Sequence, residues 1–152
     1  MSTAIETQPR PSGSTALDQG SSAHRTGRYL HVGLVIALGF SIAWQAAFAG
    51  QFLSGQPWAL SLHASGAAAV VLLGLATLIV EFVNSRRTSR SGIVWLAGLL
   101  LVAILGQYVL GYLSTQNAHF IAYHVPLGVS IAGLYVYYLT VGLRRTPAAT
   151  RP

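Results

Sequence analysis

The sequence predicts an all-α integral membrane protein, a four-helix up-down bundle with both termini inside. Three observations carry this. Apolar residues make up 53% of the 152 and charged residues only 8%, where a soluble domain carries roughly a quarter charged. Four apolar runs, 29–53, 58–82, 93–113 and 120–143, each hold about 20 residues or more, enough for a helix to cross roughly 30 Å of hydrocarbon. The connections between them are short, so sequence neighbours should pack antiparallel.

Residues 1–28 are rich in Ser, Thr, Gly, Pro and Gln with no apolar period, the composition of a disordered tail. The transmembrane domain is expected over 29–145 and a short polar tail over 146–152. Arg25 and Arg28 before the first run, and Ala47-Phe48-Ala49 late in it, have the outline of a signal peptide. The run is longer than an h-region of about 7–15 residues, so it reads as a retained first helix.

The formal charge is +6, from nine arginines and three acids. The arginines flank apolar runs, which argues for membrane topology and against nucleic acid. Arg10, Arg25 and Arg28 precede the first run, Arg86, Arg87 and Arg90 separate the second and third, and Arg144, Arg145 and Arg151 follow the fourth. The loops 54–57 and 114–119 carry no charged residue. The positive-inside rule then places both termini in the cytoplasm, in a multi-pass protein of the cell (plasma) membrane, the inner membrane of a two-membrane cell. There is no cysteine, which excludes disulfides, thiolate metal sites and covalent haem attachment through C-x-x-C-H.

On that topology the polar residues of the spans gather in the outer half. His63 and His124 head the inward-running second and fourth helices, and Gln45 and Gln107 come late in the outward-running first and third. A weak internal repeat relates them: Gln45, Gly50, His63 echoes Gln107, Gly111, His124, with thirteen residues from Gly to His in both. Such a repeat builds a site at the interface of two helix pairs.

A histidine inside a membrane segment is costly and needs a reason. Two at matching depth on diagonal helices suggest a shared ligand, one haem iron held from opposite sides. The flat ring needs small neighbours, and Gly66 and Ala67 follow His63 at i+3 and i+4, as Gly128 follows His124 at i+4. Gln45 and Gln107 are candidate partners for the ring nitrogens. Tyr108, Tyr112 and Tyr123 suit either the haem edge or the membrane interface. The plainer reading of the same pattern is hydrated histidines in the headgroup zone, with the glutamines as interhelical glue. His119 reads as a loop residue, His24 as part of the tail and His31 as an interfacial residue. Glu81 with Arg86 and Arg87 reads as a cytoplasmic helix end.

Leu105-Gly-Gln107-Tyr-Val-Leu-Gly111 followed by His124, and Gln45 to Gly50 followed by His63, resemble the helix pairs of a haem A synthase. The resemblance covers about 29–145, one four-helix half of that eight-helix family, and small four-helix membrane proteins of unassigned function share the pattern. It implies a haem between histidines of the second and fourth helices, hence His63 and His124. The family's Glu-x-x-His-Arg signature is not kept. Leu60 stands at the glutamate position and Ala64 at the arginine position, so the family's oxidation chemistry is not carried over and a propionate partner is missing. Gln51, Gln56, Gln116 and Asn117 are the neutral donors nearby in sequence.

The expected function is therefore a haem b protein transferring electrons, embedded in the lipid bilayer, with a membrane redox partner or a second copy of itself. The rivals are a cofactor-free membrane subunit or assembly partner, and a quinone- or lipid-interacting protein. Topology gives the first test. A reporter fused after residue 116 should give a signal on the outer side of the membrane, and a cytoplasmic signal there would overturn the orientation.

Overall fold

A computed structural model describes the backbone over residues 14–88 and 91–144, with side chains over 27–86 and 91–142. The chain divides into two units, 1–30 and 31–152. The described part of the first is the helical stretch 14–30. The second holds the bundle.

Four helices follow one another: α1 (Ser14–Leu53), α2 (Trp58–Thr88), α3 (Ser91–Gln116) and α4 (Ile121–Arg144), with a short 3-10 turn, Ala118–Phe120, before the last. Each contains a stretch long and apolar enough to cross a membrane, beginning in α1 at Gly27. Helix α1 starts well before the apolar run does, so 14–28 is helical where composition predicts an unordered tail. No proline stands between Pro11 and Pro57, and a helix once nucleated propagates through such a stretch at low cost. Residues 1–13 and the tail 146–152 lie outside the described residues.

Two turns set the topology. After α1, Gly55 takes φ +91°, and the Gly55 and Gln56 amides donate back to the carbonyls of Phe52 and Gln51, both at 3.0 Å. This is a Schellman closure, which needs a residue free to adopt the left-handed region. Pro57 then prevents the helix from continuing. Between α3 and α4, Asn117 caps the 3-10 turn, its side-chain oxygen accepting from the His119 amide at 3.0 Å. The hydrogen bonds and contacts run end to start between neighbours: Gln45 meets His63, Gly74 lies against Ile104, and Gln107 meets His124. Tyr135 on α4 returns to Val35 on α1. The four helices therefore form a closed up-down ring with α2 and α4 diagonal and parallel.

The interior is stacked in layers. In the middle, Leu38, Val70, Leu100, Ile104 and Ile131 form a wholly apolar cluster fed by all four helices. Toward the arginine-bearing end, Val35, Ile93, Ala97 and Tyr138 form a second. Helices α1 and α4 approach closely at Gly39. The Tyr135 ring occupies the space a Cβ would take there, and its hydroxyl donates to the Val35 carbonyl at 2.7 Å. Large apolar side chains such as Phe40, Trp95 and Leu99 face outward, as a lipid-facing surface requires.

In lipid the transfer of a core side chain gains little, because the tails are as apolar as the core. What remains is packing. Leu100→Ala, at a side chain 2% exposed, should lower unfolding stability by about 2 kcal/mol through the cavity left behind. Leu99→Ala, at the lipid face, should leave it unchanged. Unfolding in mixed micelles reads both.

Candidate functional site

The turn end of the bundle brings His63 and His124 together. Their ring centres lie 6.1 Å apart with the planes at 76°, and both residues are half-buried. Each is fixed the same way. His63 Nδ1 lies 3.0 Å from the Gln45 carbonyl oxygen, and His124 Nδ1 lies 3.1 Å from the Gln107 carbonyl oxygen. A carbonyl only accepts, so both rings carry their proton on Nδ1. That leaves Nε2 of each with a lone pair, the arrangement in which a histidine is ready to ligate.

Both glutamines orient the rings through their backbone carbonyls, and Gln107 also does so through the side chain that sequence reasoning singles out. Gln107 Nε2 stands 3.2 Å from His124 Nε2 and donates to it. The side-chain oxygens Gln45 Oε1 and Gln107 Oε1 are both buried with no hydrogen-bond partner among the described residues. Each carboxamide lies over a glycine of the diagonal pair: a Cβ on Gly66 would collide with Gln45 Nε2, and one on Gly128 would stand 2.9 Å from Gln107 Nε2. Glycine is needed at both places for this close approach. Ala67, the remaining small residue proposed for the site, is half-buried.

The internal repeat appears as matched contacts, Gln45–His63–Gly66 and Gln107–His124–Gly128. The other glycines do not match. Gly111 lies against the His124 ring, whereas nothing stands near Gly50. Four residues after Gln45, where Gly111 has its counterpart, the chain carries Ala49 instead.

Tyr108, Tyr112 and Tyr123 are exposed and face away from the imidazoles' interior setting. Leu60 and Ala64 are exposed too. His119 is an exposed residue of the 3-10 turn. His31 and Glu81 are placed differently from their sequence reading. Glu81 is buried, 4% exposed, and His31 Nε2 lies 2.9 Å from its Oε1. The signal available was that Glu81 is the one acid within an apolar run, since such a residue faces the interior and needs a partner.

Among the described residues, no group of three or more His, Cys, Asp or Glu side chains is placed to hold a metal ion. Comparison with protein-family models, curated proteins and solved structures gives no match for this chain.

The carboxamide seats are testable. Gly128→Ala should push Gln107 off its seat and weaken its bond to His124 Nε2, shifting the His124 imidazole nitrogen resonance. Gly133→Ala, where a Cβ meets nothing, should leave that resonance in place.

Proposed function

We propose that His63 and His124 are the axial ligands of a b-type haem, and that the protein carries electrons within a membrane. One observation supports this above the others: two imidazoles, each with Nδ1 held by a carbonyl, stand 6.1 Å apart. Two metal–nitrogen bonds of about 2 Å plus the ring radii on either side place imidazole centres roughly 6 Å apart across one metal. A bare ion held by two imidazoles alone is poorly coordinated, whereas a porphyrin brings four nitrogens of its own.

The fit has one condition. The carboxamides of Gln45 and Gln107 rest on Gly66 and Gly128, the small-residue faces a porphyrin would use, so both must turn aside. They are flexible side chains, and both leave an oxygen unpartnered where they are. The backbone carbonyls that orient the rings stay in place. When bound, the haem would supply one-electron redox chemistry. Held by both His63 and His124, it would have no position left for oxygen, which favours electron transfer over oxygen activation. The rings' fixed tautomer would keep both Nε2 atoms available to the group, and the apolar layer beneath them would exclude water from it. Gln51, Gln56, Gln116 and Asn117 are the neutral donors at this end for the propionates.

The orientation proposed with it has the turn end on the outer side and the arginine-bearing end in the cytoplasm, in the cell membrane. A cofactor-free membrane subunit is the second reading. It is favoured by the Gln107–His124 bond, which satisfies one ligating nitrogen without any cofactor.

The absorbance spectrum of the detergent-purified protein decides between them. His63→Ala and His124→Ala should each abolish a low-spin bis-histidine spectrum, and His119→Ala should leave it intact. Gln107→Ala removes a competitor for His124 Nε2 and keeps the carbonyl, so haem occupancy should hold or rise. Gly128→Leu should block binding. Wild-type protein that stays colourless after haem supplementation would sink the proposal and leave the cofactor-free, quinone- and lipid-binding readings.

A further inference from the structure

The geometry points to a second site, at the opposite end of the bundle, that binds and releases a proton: Glu81, His31 and Tyr138. This site is independent of the haem reading.

Three titratable side chains from three helices converge on one carboxylate oxygen. Tyr138 donates its hydroxyl to Glu81 Oε1 at 2.5 Å. His31 Nε2 lies 2.9 Å from the same oxygen and 3.4 Å from the Tyr138 hydroxyl. Glu81 and Tyr138 are 4% and 2% exposed. A carboxyl in that position either binds a proton or keeps its charge against a partner, because an isolated charge in hydrocarbon is too costly. Both solutions are at hand. With His31 protonated, the pair holds one proton and is neutral overall. Losing it leaves a carboxylate accepting two hydrogen bonds, and gaining a second protonates the carboxyl.

Among the described residues, the neighbours contributed by the other elements are largely apolar or already engaged. Helix α1 contributes His31 and the apolar Val35. Helix α3 brings the apolar Ile93 and Ala97 to the layer of Tyr138. On α4 the neighbouring Tyr135 spends its hydroxyl on the Val35 carbonyl. On α2 the Arg86 guanidinium lies over the Phe82 ring, 4.6 Å from its centre. The way out is His31, whose side chain is 28% exposed against 5% for Glu81. A proton taken from water reaches His31 first and the buried oxygen through it, and leaves by the same route. On the other side the apolar layer of Leu38, Val70, Leu100, Ile104 and Ile131 blocks passage.

A buried acid–base pair that served only as a clamp would keep one protonation state across the range around neutrality, whereas a proton-binding site changes state within it. Such pairs contribute little net stability, so the distinction has to be read from the proton itself. The experiment is infrared titration of the full-length protein in lipid nanodiscs, following the protonated-carboxyl stretch as pH is varied between about 4 and 9, a range that brackets the ordinary carboxyl and imidazole values. The chain has two other acidic side chains, Glu6 and Asp18, and a Glu6→Gln, Asp18→Asn double variant removes their signal. A reversible carboxyl band that survives in the double variant, is lost in Glu81→Gln and changes midpoint in His31→Gln is the expected result. If Glu81→Gln does not fold, the double variant labelled with 13C-glutamate still assigns the band, because Glu81 is then its one glutamate. No pH-dependent band in the double variant, or a midpoint indifferent to His31→Gln, would overturn the proposal.

Discussion

Hydrocarbon offers no hydrogen-bond partner, so a polar group carried into these helices is costly unless the protein itself satisfies it. Much of the arrangement follows. Thr77 and Ser114 solve the problem locally, donating to carbonyls four residues back, Leu73 and Leu110. The residues that matter solve it across helices. His63 ties α2 to α1, His124 ties α4 to α3, Tyr135 ties α4 to α1, and Tyr138 ties α4 to its diagonal partner α2. In water such bonds would be incidental to burial. Between lipid-facing helices, where burial itself gains little, they set register and leave the apolar layers to fill the space.

The helices were legible because length and hydropathy speak directly to membrane crossing. Four runs predict four helices, and each appears, with α2 and α3 extended by a turn or so beyond the apolar stretch. The meeting of His63 with His124 was also legible: equal depth on diagonal helices follows from short loops and alternating direction. A side chain is visible in a sequence and a carbonyl is not: the Gln107 carboxamide is legible as a partner of His124, and the Gln45 and Gln107 carbonyls that hold the rings are not. His31 and Glu81 were misplaced for a different reason. Each looks like an interfacial residue by its distance from the helix end, and only the way the ring of helices closes shows that both turn inward.

The two ends of the bundle are built on different plans. At the turn end, the same Gln–His–Gly contact occurs twice, once in each helix pair, and the two copies face each other. At the arginine-bearing end the described residues show no such doubling: α1 supplies a histidine, α2 an acid and α4 a tyrosine, while α3 supplies Ile93 and Ala97. A site made by repetition suits a symmetrical ligand approached from two sides. A site made of three unlike groups suits the handling of something small and charged.

The middle layer, Leu38, Val70, Leu100, Ile104 and Ile131, has an electrical meaning for a bundle that spans a membrane. It has no dipolar side chain and so behaves as the insulator of a capacitor, with the imidazoles near one plate and the carboxyl near the other. A voltage across the membrane would fall largely over this slab, at roughly 2.3 kcal/mol per elementary charge per 100 mV. Charge placed at one end is then felt at the other through the field alone, and each end takes its proton concentration from its own side of the membrane.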